Sequence, residues 1–178
     1  MLFRSPESEG AFGETALFYA ARYNQRRAVE WLLADAGVSV DTVDSAGRTP
    51  LMSAAMNCSR GISPLILSRR PDVNRVDDEG FTALMHAALG GCEEIVRQLV
   101  AQPGIDRSVR DFNGRTALDL AESEAQIEVG GPYSRIVELL GGESLHLRKV
   151  AERQRGSEAR GTARDAVQSD TAAGTRIP

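Results

Sequence analysis

Lysine is nearly missing from this chain: Lys149 is the only one, beside twenty arginines. Arginine forks onto carboxylates and stacks on aromatics, which suits interfaces; the imbalance is read as the codon usage of a GC-rich genome. Histidine is as scarce, with His86 and His146 alone. No Ser-His-Asp, metal-ligand or phosphate-loop constellation forms around them, so no enzyme is expected, and no cofactor or metal. Two cysteines, Cys58 and Cys92, do not make a disulfide framework. A reducing, intracellular setting is the default, cytoplasmic first, with a nuclear one left open. No stretch approaches eighteen apolar residues, and the N-terminal "MLFRSPESEGAFG" lacks the apolar core of a secretory signal, so no membrane contact is expected. Net charge is −4, so no broad basic field invites nucleic acid.

What the chain has instead is repetition. "GETALFYAA" (13–21), "GRTPLMSAA" (47–55), "GFTALMHAA" (80–88) and "GRTALDLAE" (114–122) are four versions of one phrase. Aligned on Thr15, Thr49, Thr82 and Thr116 they are spaced by 34, 33 and 34 residues, which makes a tandem array. Gly13, Gly47, Gly80 and Gly114 permit positive φ in a tight turn. "DSAG" (44–47), "DDEG" (77–80) and "DFNG" (111–114) place an aspartate where its carboxylate can bond the turn backbone. The threonine then caps a helix, with Pro50 tolerated at its start. Leu17, Leu51, Leu84 and Leu118 begin a buried stripe, and the pairs Ala20–Ala21, Ala54–Ala55 and Ala87–Ala88 let neighbouring helices approach. A second helix follows in "RRAVEWLL" (26–33) and "CEEIVRQLV" (92–100), then an extended link such as "PDVNRVD" (71–77). Each unit is helix, turn, helix and hairpin-like loop, and it covers its apolar face only by stacking on copies of itself.

A unit of about 33 residues with a T-P-L-H-x-A signature resembles the ankyrin repeat, and the resemblance spans residues 13–141. It implies an all-α solenoid of about four units, at about 13–43, 44–76, 77–110 and 111–141. A flexible N-terminus (1–12) would precede it. A possible short capping helix in "ESLHLRKVAERQR" (143–155) and a disordered tail would fill 142–178. From Glu143 onward seven basic residues face five acidic ones, a charge of +2 that leaves −6 for residues 1–142.

Several positions depart from the family pattern. Phe18, Met52, Met85 and Asp119 stand where the signature has histidine, and His86 lies one position too late to inherit that capping role. Pro64 inside a helix would cost about 3 kcal/mol, so the second helix of repeat two should be short, with Ser63 as its cap and Pro64 first. Arg70 stands where a helix-ending glycine is usual, and repeat two should be the weakest packed. Repeat four carries about seven extra residues around "EAQIEVGGPYS" (124–134), expected as a tolerated loop between its two helices.

Cys58 and Cys92 fall in the turns between the helices of successive units. Packed helices lie roughly 8–10 Å apart, too far for an easy disulfide, so both are expected as structural or incidental thiols. The acids of "DDE" (77–79) lack calcium-loop spacing and are read as turn chemistry. Asn74 matches a position at which ankyrin repeats can be hydroxylated, and is read as a turn residue bonding the neighbouring loop.

The resemblance also implies a partner-binding strip of loop tips and first-helix faces. The matching positions are Phe12, Arg22, Tyr23, Ser45, Arg48, Met56, Asn57, Asp78, Glu79, Phe81, Leu89, Phe112, Asn113 and Arg115. Phe81 and Phe112 are either exposed anchors or rings packed sideways on an adjacent tip. The function expected is a non-enzymatic, monomeric adaptor or scaffold holding another protein on its concave face. The alternative is a self-regulated module whose tail or repeat-four insertion competes for that groove.

Overall fold

A computed structural model describes residues 15–35, 37–127 and 131–142, and among them the chain forms eight helices and no strand. In order they are α1 (Ala16–Arg22), α2 (Arg26–Ala34), α3 (Pro50–Met56), α4 (Ser63–Leu67), α5 (Ala83–Leu89), α6 (Glu93–Val100), α7 (Ala117–Ile127) and α8 (Pro132–Leu140). Each odd helix packs on the even one that follows it. The odd helices also stack on one another in chain order, as do the even ones, giving two rows. The chain is an all-α repeat solenoid of four helix pairs.

The repeated phrase does what its chemistry dictates. Thr15, Thr49 and Thr82 accept from the backbone N–H of Phe18, Met52 and Met85 and so cap α1, α3 and α5. In two of these caps the methionine reciprocates: the N–H groups of Thr49 and Thr82 point at the Met52 and Met85 sulfurs, at 3.3 and 3.5 Å. Asp119 does so with full strength, its carboxylate taking both the N–H and the hydroxyl of Thr116 at 2.8 Å. Leu17, Leu51 and Leu84 are buried, as are all six paired alanines, which let the first-helix row close up. Leu118 departs from this stripe and is half-buried. The second row contributes Val29, Ile62, Ile66, Ile95, Val96, Leu99, Ile136 and Val137, all buried. Each such side chain withdraws apolar surface worth about 1.5–3 kcal/mol.

Helix α4 has five residues, as its proline requires, but its start differs from expectation. Ile62 is the cap, Ser63 opens the helix and Pro64 follows it. The Ser63 hydroxyl donates to Gln98 Oε1 of α6 instead of capping. Arg69 donates to the Leu33 carbonyl and Gln98 to the Arg60 carbonyl, so polar ties to both neighbours flank the shortened helix. Ile62 and Ile66 are fully buried beneath them.

Two further expectations are corrected. The stretch expected as a loop in repeat four is helical at both ends: α7 runs to Ile127 and α8 begins at Pro132, while 128–130 lie outside the described residues. Tyr133 folds back so that its hydroxyl donates to the Leu89 carbonyl of repeat three. Cys58 and Cys92 form a disulfide, with their Cα atoms 5.2 Å apart. Helix-axis spacing was the wrong ruler. The cysteines sit in the interhelix turns, where no side-chain layer separates successive backbones. Residues 1–14 and 143–178, and with them the expected flexible N-terminus, capping helix and tail, lie outside the described residues.

Candidate functional site

Three hairpin tips share one construction. Asp44 Oδ1 accepts from the N–H groups of Ala46 and Arg48, Asp77 Oδ1 from Glu79 and Phe81, and Asp111 Oδ1 from Asn113 and Arg115. The second oxygen of Asp44 is clamped by Arg48 at 2.6 Å, and that of Asp111 by Arg115 at 2.7 Å. Burial alone would raise these two carboxyls. The arginine side chain, the turn N–H groups and the arginine charge outweigh it and hold both below the ordinary carboxylate value.

Repeat three solves the same problem differently. Phe81 occupies the position that Arg48 and Arg115 hold in the neighbouring tips, and His86 Nε2 takes up the second oxygen of Asp77 at 2.8 Å. Phe81 is only 6% exposed, tilted against the His86 ring at 5.2 Å, with the Arg115 guanidinium over it at 5.9 Å. It is therefore the ring packed sideways, a support for the tip and not a group presented on it. Phe112 is the opposite case, 78% exposed. Its backbone N–H bonds the Glu79 carbonyl, as Asp78 bonds Ala46, so successive tips are tied in series.

The remaining candidates fall into rows. Ser45, Asp78 and Phe112 are equivalent tip positions and all are exposed, as are Glu79 and Asn113 beside them. Arg22, Met56 and Leu89 close α1, α3 and α5, also exposed, with Tyr23 and Asn57 following them. Arg22, Arg48, Met56 and Asn57 line one small cleft of about 90 Å³ together with Phe18, over whose ring Arg48 lies. Arg115 is exposed on the last tip. Phe12 lies outside the described residues.

Two aromatics escaped the sequence reading. Tyr19 is exposed and stacks on Tyr23 with ring centroids 6.0 Å apart, while Arg22 lies 5.8 Å from the Tyr23 ring. Trp31 is 68% exposed on α2. Helical phase could have found both, because Tyr19 falls between buried Leu17 and Ala20, and Trp31 between buried Val29 and Leu32. Asn74 bridges two loops, donating to the Gly104 carbonyl and accepting from the Asp106 N–H, each at 2.8 Å.

Among the described residues no group of three acidic, histidine or cysteine side chains could hold a metal ion, and no helix is long and apolar enough to cross a membrane. The family model for ankyrin repeats in three copies matches residues 2–77, and the model for ankyrin repeats in many copies matches residues 66–121. No curated protein matches the chain. Ankyrin repeats are generally protein–protein interaction modules and typically non-enzymatic. With the helix pairs, the glycine turns and both family models in agreement, the chain belongs to the ankyrin-repeat family.

Proposed function

We propose that this chain is a non-enzymatic adaptor that holds a partner protein on a strip running from the ends of the first helices to the hairpin tips. The observation that carries this reading is a set of large apolar side chains left exposed in successive repeats: Met56 and Leu89 at equivalent helix ends, Tyr23 just past the end of α1, and Phe112 at a hairpin tip. A singly exposed apolar group needs no explanation, whereas one that recurs at the equivalent position of the next repeat, as Met56 does in Leu89, marks a candidate interaction face. Arg48 and Arg115 are already pinned by Asp44 and Asp111. They meet a partner with little side-chain entropy left to lose, which favours association. Phe81, Asp77 and His86 stay beneath the strip and hold its shape.

The test uses the purified chain as bait in a cell extract, beside a Tyr23→Ala/Phe112→Ala variant shown by circular dichroism to be folded. A partner retained by the first and lost by the second is expected. Anchors of this kind are worth about 2 kcal/mol or more each, so either single variant should weaken a purified partner roughly thirtyfold. Equal capture by both baits rejects the strip as the binding face.

A further inference from the structure

We infer that Cys58 and Cys92 are a thiol–disulfide exchange site, through which a small thiol of the glutathione class opens and closes a covalent link between the second and third repeats. The two sulfurs are unequal. Cys58 is exposed at a left-handed turn, φ 49°, a position taken by Asn24 and Gly91 in the adjacent units. Cys92 is buried at the start of α6. Beside the bond opens a groove of about 440 Å³ walled by Arg60, Gly91 and Glu94 among others. It gives an incoming thiol access to Cys58, with the Arg60 cation and the Glu93 and Glu94 carboxylates on its walls to meet the zwitterionic groups that such a thiol carries. Cys92 borders the same groove but is only 5% exposed, so Cys58 presents the more open sulfur.

The chemistry follows from that asymmetry. A thiolate attacks Cys58 Sγ, the new S–S bond forms there, and the bond to Cys92 breaks. Cys92 leaves with the electron pair and takes a proton from water. Its thiol then finds the Ala55 carbonyl at 3.2 Å and the Gly90 carbonyl at 3.6 Å, so the released group is hydrogen-bonded where it stands. A second small thiolate attacks the mixed disulfide, frees Cys58 and departs as the oxidised small disulfide; two electrons pass from two small thiols to the protein. Closure is the reverse: the Cys58 thiolate attacks the oxidised small disulfide, and Cys92, losing its proton, displaces the adduct.

The full chain is incubated in glutathione buffers of graded oxidised-to-reduced ratio, quenched with an alkylating agent and mapped by mass spectrometry. In oxidising buffer the natural chain should lose both alkylatable thiols and retain no adduct. A Cys92→Ser variant should accumulate glutathione on Cys58. A folded Cys58→Ser variant should take none on Cys92 until denaturant opens it. Two free thiols persisting in the natural chain under oxidising buffer overturn the proposal, as does a stable adduct without closure. Modification of Cys92 in the folded Cys58→Ser chain as readily as of Cys58 in the other variant also overturns it. The readout on the natural chain stands even if a variant does not fold.

Discussion

In the three described hairpin tips a single aspartate organises the turn, and its neighbours decide what lies above it. Asp44 and Asp111 each spend one oxygen on two turn N–H groups and the other on an arginine four residues later. Asp119 closes the cap of α7, held below the ordinary carboxylate value first by the Thr116 backbone N–H and then by the Thr116 hydroxyl. All three have folded-state values depressed beneath the unfolded ones. Their contribution is therefore complete above the ordinary carboxylate pKa of about 4, and is lost as pH falls through the folded values, where the unfolded chain has already taken up the protons. Urea midpoints measured across the acid range should fall with pH, and Asp44→Asn should reduce that slope while lowering stability at neutral pH by about 1–3 kcal/mol, since the Arg48 guanidinium loses its charged partner. A midpoint independent of pH in that range would show that the turns do not depend on the ionised carboxylate.

At the scale of the element, the glycine turns show which part of the structure was legible. The phrase G-x-T announced positive φ, and Gly47, Gly80 and Gly114 adopt φ of 73, 80 and 78°. Close approach was invisible in the phrase, because it depends on the next repeat. A Cβ on Gly80 would stand 3.0 Å from both the backbone nitrogen and the ring of Phe112, whereas one on Gly114 would meet nothing within 4 Å. Gly80→Ala should thus destabilise more than Gly114→Ala, although both incur the left-handed penalty of roughly 1–2 kcal/mol. Arg70 carries the same penalty already, at φ 53°. Arg70→Gly should raise stability by about 1 kcal/mol less a few tenths for the freer unfolded chain, and chemical denaturation would show a lowered midpoint if the arginine had an offsetting role. The layout of the candidate site was legible in a similar, partial way. Equivalent positions gave the rows, but only packing separated Phe81 from Phe112, since both are aromatic residues at a tip. The His86–Asp77 pair that underlies Phe81 spans nine residues and follows no helical or turn spacing.

At the scale of the molecule, the eight described helices form a one-dimensional stack in which each pair holds only its neighbours, so its stability is a sum of units and interfaces. The interface between repeats two and three is where the shortest helix, α4, meets α6, and it is also where Cys58 is joined to Cys92. Helix-axis spacing sets the cysteines too far apart, but the turns that carry them approach to 5.2 Å between Cα atoms, and no sequence pattern announces that approach. The link closes a loop with a sequence separation of 34, and in the chain-entropy account such a cross-link restricts the unfolded ensemble by about 3–4 kcal/mol. Reduction should therefore lower the urea midpoint of the natural chain markedly and leave that of a Cys58→Ser chain unchanged. Because neighbours couple, the loss should appear first in the amides of α4 and its flanking turns, where hydrogen exchange would accelerate while α5 and α6 stay protected. Equal midpoints with and without reductant would place the cross-link outside the stability of the array. Uniform acceleration across all eight helices would instead mean that the stack unfolds as one cooperative body, with no weak joint at α4 for the disulfide to reinforce.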